Sequence, residues 1–278
     1  MSYKIVVDSS CEFPKEYQGD SRFEVIPFGL EVGTEHMTDD GSLDMKEFLA
    51  KIAACPTCPK SSCPSPERFM NAYNCDADDI YVVTISGNLS GCYQSAEVGK
   101  TMYLENFGAK NIHVVDSESA SCGETQIALK LMELAESGMA FEEIVETITK
   151  FRDEMNTYFV LDNLETLRKN GRLTGVKALV ASTLNIKPVM GAEKGVIIQR
   201  GQCIGNKKAL VKMTDMIAAE LVDGEKKVIY ISQCNCPERA ETVKKMLEQK
   251  TNCKAIVITE MDGLSGLYAN DGGVIVAV

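Results

Sequence analysis

Residues 79–95 read DIYVVTISGNLSGCYQS, and the pattern changes twice along them. Positions 80–85 are apolar, largely β-branched and uncharged, which predicts a short buried strand. The polar turn Ser86-Gly87-Asn88-Leu89-Ser90-Gly91 follows, and helical spacing begins near Cys92. Glycines let backbone approach a ligand closely, while Ser86, Asn88 and Ser90 offer cap oxygens or hydroxyl donors. A helix start also presents unpaired N–H groups and partial positive charge, which suit an anion. The turn therefore reads as a seat for a carboxylate or a phosphate. Taken alone, an ordinary N-cap is the more economical account.

Outward from that strand the chain alternates. Residues 4–7 predict a strand ending in Asp8-Ser9-Ser10, residues 24–28 another, and residues 112–115 a third, which ends in Asp116-Ser117-Glu118-Ser119. Helical spacing runs over 44–53, 66–73, from 92 to about 107, from 121 to about 136 and over 141–154. Strand and helix in turn predict a parallel sheet covered on both faces. Ligands of such sheets sit beyond the carboxyl ends of the strands, so the three polar strand ends are expected to converge on one edge. The second half has another rhythm, with strands near 158–161, 186–190, 196–199, 228–232, 255–259 and 272–278, a segment at 163–169 leading into the turn 170–172, and helices at 174–183, 207–221 and 237–249. The expected fold is α/β: an N-terminal domain, residues 1–155, with a parallel sheet flanked by helices, and a C-terminal α+β domain, residues 156–278.

Composition narrows the function. The chain has 278 residues, 40 acidic against 29 basic, for a formal net charge of −11. So acidic a surface disfavours nucleic acid and anionic lipid headgroups as partners. No apolar run reaches membrane-spanning length and the opening MSYKIVVDSS lacks a signal-peptide layout, so a cytoplasmic protein without membrane insertion is expected. Eleven cysteines, an odd number, point to reduced thiols. Cys55-Pro-Thr-Cys58 has the first spacing of a zinc site, but no second such pair follows, and no metal is expected. With only two histidines, His36 and His113, triad chemistry has no support. There is neither a P-loop nor a dinucleotide fingerprint, so no nucleotide cofactor is expected.

A second polar cluster, Lys60-Ser61-Ser62-Cys63-Pro64-Ser65-Pro66, is held extended by its prolines and presents its hydroxyls at low entropic cost. Read together, Asp8-Ser9-Ser10, Ser61-Ser62-Cys63-Pro64-Ser65, Leu89-Ser90-Gly91-Cys92-Tyr93-Gln94-Ser95, Lys169-Asn170-Gly171-Arg172-Leu173 and Leu184-Asn185-Ile186-Lys187-Pro188 resemble the DegV family of fatty-acid-binding proteins. That family includes the acyl-carrying subunit of bacterial fatty acid kinase. The resemblance implies a protein that is not itself an enzyme. It would bury a long-chain fatty acid and present it to a partner kinase, with the carboxylate held by Ser61, Ser62, Ser90 and the Gly91 amide. It also implies that the turn from Arg168 to Arg172 docks the kinase, although a solvated helix face accounts for those charges as well. The family's Gly-x-His-x-Gly-Pro-Gly run has no histidine here. Ser265, or Tyr268, is expected to supply the replacement donor. The alternatives are the substrate-binding component of a dihydroxyacetone-type kinase, or a binder of another anionic amphiphile.

Overall fold

The computed structural model describes residues 2–173 and 185–278; the helix expected over 174–183 lies outside them. The chain opens with β1 (Tyr3–Asp8), β2 (Phe23–Ile26), β3 (Gly29–Val32) and β4 (Glu35–Thr38). Then come α1 (Met45–Ala54), β5 (Lys60–Ser62), α2 (Pro66–Tyr73), β6 (Asp79–Thr84), α3 (Cys92–Phe107) and β7 (Asn111–Asp116). Next are α4 (Cys122–Glu136), α5 (Phe141–Glu154), β8 (Thr157–Val160) and α6 (Glu165–Lys169). The last part holds β9 (Ile186–Glu193), β10 (Val196–Ile204), α7 (Asn206–Glu220), β11 (Val228–Gln233), α8 (Pro237–Lys250), β12 (Ala255–Glu260), α9 (Gly263–Ala269) and β13 (Val274–Ala277).

Three sheets result. The first, in the order β2-β1-β6-β7, is parallel throughout. Its central strands are buried on both faces, so no polar position alternates along them: Ile80 and Val82 point to one core, Tyr81 and Val83 to another. The second, in the order β10-β9-β8-β13-β11-β12, is mixed, with only β11 and β12 parallel. All its strands come from residues 157–277. The helix α4 lies between these two sheets. Wetted on almost no side, it buries every residue from Cys122 to Leu129. The helices α7 and α8 cover the outer face of the mixed sheet through Leu210, Met213, Val243 and Leu247.

The third sheet, β4-β3-β5, was not expected. Its strands have three or four residues each, too few to establish a period. Its register matters most for the site. Leu30 pairs with Ser61 and Gly29 with Ser62. Cross-strand partners share a face, so Ser61 turns inward with the buried Leu30 and Ser62 turns out. Gly29 is required by this pairing, since a Cβ there would strike the Ser62 hydroxyl. The element α9 was likewise expected as part of a loop. Its seven residues are nearly all buried, and packing rather than propensity makes it helical.

Candidate functional site

Because β1, β6 and β7 are parallel, their carboxyl ends share one edge, and the three polar loops meet there as expected. Asp8 ties two of them, accepting from the Ile85 N–H at 2.8 Å and the Ser10 N–H at 2.9 Å. Asp116 accepts from the Gly87 N–H at 3.1 Å. Most of this polarity is structural. Ser86 donates to the Gly195 carbonyl at 3.0 Å and Asn88 to the Lys194 carbonyl at 2.9 Å. They pin the β9–β10 turn of the mixed sheet to the loop after β6.

Beyond this edge lies a cleft walled by both larger sheets, the short β5 strand and α9. Its cavity proper is about 90 Å³, and about 820 Å³ of atom-free space is present when interstices and the open mouth are included. The walls are apolar, among them Phe28, Ile85, Phe159, Leu161, Leu264 and Ile275. Ser61, Ser90, Arg172, Ser265 and Tyr268 supply polar atoms to the same lining.

Each polar group has capacity left for a ligand. The Ser90 hydroxyl accepts from the Cys92 N–H at 3.2 Å, as an N-terminal turn demands, which leaves its own O–H free to donate. Ser61 Oγ and Tyr268 Oη lie 3.0 Å apart. Two hydroxyls share that one bond, so one proton remains. Ser265 is 8% exposed, and its hydroxyl makes no hydrogen bond among the described residues, although the buried Glu12 carboxyl stands beside it. Arg172 donates through Nε to the Leu89 carbonyl at 3.1 Å and through a terminal nitrogen to the Asn170 carbonyl at 2.7 Å. Its guanidinium lies 5.5 Å from the centre of the Tyr268 ring.

The helix α9 is held in place by a carboxylate at its start. Asp39 accepts from the Gly263 and Leu264 N–H groups, both at 2.8 Å. Burial raises the Asp39 carboxyl above its ordinary value while these amides oppose the rise. Deeper in, Glu12 accepts from the Ser121 hydroxyl at 2.7 Å and the Ser232 hydroxyl at 3.4 Å, and burial pushes its carboxyl well up.

Of the expected headgroup residues, Ser61, Ser90 and Ser265 line the cleft. Ser62 does not, being exposed on the other face of β5. Gly91 is exposed at the start of α3, and a Cβ on it would lie 3.7 Å from the Cys63 sulfur. Arg168 is 54% exposed and paired with Glu165 at 2.7 Å. Arg172, expected with Arg168 in a docking turn, lines the cleft, which adds a cation to the headgroup residues expected from the sequence. Neither His36, exposed on β4, nor His113, half-buried on β7, lines the cleft. Among the described residues no three His, Cys, Asp or Glu side chains are grouped to hold a metal ion, and no helix is long and apolar enough to cross a membrane. A signal for Tyr268 was present in the sequence. If Gly266 and Gly272 are set on the outer glycines of the family's Gly-x-His-x-Gly-Pro-Gly run, Tyr268 falls on the histidine.

Fold and site together define an α/β protein with a buried cleft between two sheets, apolar inside and hydroxyl-lined at one end. The chain belongs to the DegV family of uncharacterised proteins, which it matches over residues 2–278. A DegV domain-containing protein of Streptococcus gordonii is 36% identical over 279 residues, covering 99% of this chain and 98% of the relative. A DegV family crystal structure from Ruminococcus gnavus, refined with vaccenic acid, superposes with a TM-score of 0.97 at 51% identity and covers 100% of this chain and 99% of that one. The Fatty Acid Kinase (Fak) B3 protein of Streptococcus pneumoniae, loaded with linoleic acid, superposes with a TM-score of 0.90 at 31% identity, covering 100% and 99%.

Proposed function

We propose that this chain binds a long-chain fatty acid, with the tail in the apolar cleft and the carboxylate among Ser61, Ser90, Ser265 and Arg172. The observation that carries this reading is the convergence of the Ser61, Ser90, Ser265 and Tyr268 hydroxyls and the Arg172 guanidinium on a cleft whose other walls are largely apolar; the Ser265 hydroxyl is buried there without a hydrogen bond among the described residues, beside the Glu12 carboxyl. A buried hydroxyl left unpaired costs about 1–3 kcal/mol, a cost removed when a carboxylate oxygen arrives to accept from it. Charge-assisted bonds from hydroxyls and a guanidinium offset the desolvation of the carboxylate. The tail supplies most of the affinity, at about 0.8 kcal/mol per buried CH₂.

The likeness to the vaccenate and linoleate complexes supports the choice of ligand. The chain catalyses nothing alone in this reading. A partner kinase supplies the phosphate and meets the carboxylate at the mouth, with Arg168 on the adjoining surface. Residues 1–155 and 156–278 act as two domains that both contribute to the headgroup end, the first through Ser61 and Ser90, the second through Arg172 and Ser265. Denaturing mass spectrometry of material released from the purified protein tests the reading. A long-chain acid in near-stoichiometric amount is expected; a different amphiphile, or an empty protein that takes up no added palmitic acid, would overturn it.

A further inference from the structure

The loop from α1 into β5 carries Cys55-Pro-Thr-Cys58, outside the apolar cleft. We propose that these two thiols form a redox-active dithiol, closed into a bridge by exchange with a small disulfide such as oxidised glutathione, and that closure loosens the turn from Arg168 to Arg172. Both cysteines are unbridged and half-buried, and both line an open groove of about 430 Å³ between this loop and α6. Two residues, one of them proline, separate the pair at a bend, which is the spacing of dithiols that exchange reversibly. So short a ring adds little loop-closure stabilisation, and the bridge stays reducible. Each sulfur has a polar contact that closure breaks. Cys55 Sγ lies 3.3 Å from the Thr57 hydroxyl, and Cys58 Sγ accepts from the Asn170 side-chain amide at 3.4 Å.

Asn170 makes the link to the turn. The same amide donates to the Pro59 carbonyl at 3.0 Å, and the Asn170 carbonyl accepts from Arg172 at 2.7 Å. A sulfur–sulfur bond is about 2 Å long, so closure draws Cys58 away from Asn170 and shifts the adjacent Pro59 carbonyl with it. In the exchange, one cysteine thiolate attacks the small disulfide and expels a thiolate. The second cysteine thiolate then attacks the mixed disulfide and expels the other. The two protons lost by the cysteines end on the two released thiols, so the dithiol is oxidised and the small disulfide reduced.

Residues 52–60 form one tryptic peptide that holds these two cysteines and no other, so the bridge can be read directly. The folded chain is equilibrated with oxidised glutathione, its free thiols are alkylated, and the peptide is weighed after digestion. The expected mass is lower by two hydrogens, with no alkylation, and reduced glutathione reverses the change. Alkylation at both positions, or glutathione retained on either, would overturn the dithiol. Limited trypsin digestion of the folded protein reads the turn. Cleavage after Arg168, Lys169 and Arg172 is expected to quicken by about threefold or more on oxidation of wild type, as a loosened segment opens more often. The Cys55→Ser/Cys58→Ser double variant should show no response to the oxidant. A cleavage rate unchanged by the bridge, or an equal response in the double variant, would overturn the link to the turn. Neither readout uses a lipid, so both stand or fall apart from the fatty-acid reading.

Discussion

At the scale of single residues, the cleft is built from hydroxyls whose bonding is half used. Ser90 spends its acceptor on the Cys92 N–H, and Ser61 shares one bond with Tyr268. Ser265 makes no hydrogen bond among the described residues. That last position gives a direct experiment, because its hydroxyl makes no full hydrogen bond among the described residues and has only the nearby Glu12 carboxyl to interact with it. Ser265→Ala is expected to leave unfolding free energy within about 0.5 kcal/mol of wild type and to weaken palmitic acid by several-fold. Thermal melts and a ligand titration on the same sample check it. A destabilised protein with unchanged affinity would make the hydroxyl a structural one. The residue types of this site were legible early, since a Ser-Ser-x-Pro-Ser run and a Ser-Gly helix start name their own chemistry. Their orientation was not, because Ser61 and Ser62 have identical side chains and differ only in the face of β5 on which each falls.

At the scale of elements, α9 matters most and is the least self-sufficient. Seven residues, two of them glycine, have little helical tendency of their own. The helix stands because Asp39, 224 positions away in sequence, takes the first of its free N–H groups, and because Leu264 and Leu267 are buried. Asp39→Ala leaves two buried donors unpaired, so a loss of about 2–3 kcal/mol in stability is expected. Palmitic acid affinity should fall with it, since Ser265 and Tyr268 ride on the same helix. The matched control is Asp44→Ala, which removes an exposed cap from α1, where Asp44 accepts from the Glu47 N–H at 3.0 Å. It is expected to cost about 1 kcal/mol and leave affinity alone. Denaturant unfolding of both variants, with binding measured at each, decides between a positioning role for Asp39 and general destabilisation.

At the scale of the whole molecule, the two large sheets close on α4, and carboxyls are trapped at the join. Asp8 and Glu124 are both fully buried. Asp8 has two amide donors, whereas neither Glu124 oxygen makes a full hydrogen bond among the described residues, with Asp8 and Ser10 standing beside it. Burial, together with the charge of Asp8, pushes Glu124 well above its ordinary value, so the proton resides on Glu124. A carboxyl raised on folding stabilises fully below its unfolded value, about 4.3. That contribution is lost as pH rises through the folded value, at up to about 1.4 kcal/mol per pH unit for one proton. Glu124→Gln carries no such proton. Its melting temperature is expected to gain on wild type between pH 5 and pH 8, and parallel profiles for the two proteins would contradict the assignment. No pattern rule predicts a glutamate here, since α4 otherwise reads as a helix packed on every side.

The sequence by itself determined the parallel sheet β2-β1-β6-β7, the meeting of three polar loops at one sheet edge, and the hydroxyl character of the site. These follow from neighbours in the chain: short β-branched apolar runs, cap chemistry and glycine turns act over a few residues. Tertiary structure alone decided that Ser61 rather than Ser62 faces the cleft, that Arg172 belongs to its wall, and that Tyr268 stands against Ser61 across 207 residues. Strand register and helix docking are set by partners distant in sequence, and a local pattern carries no record of them.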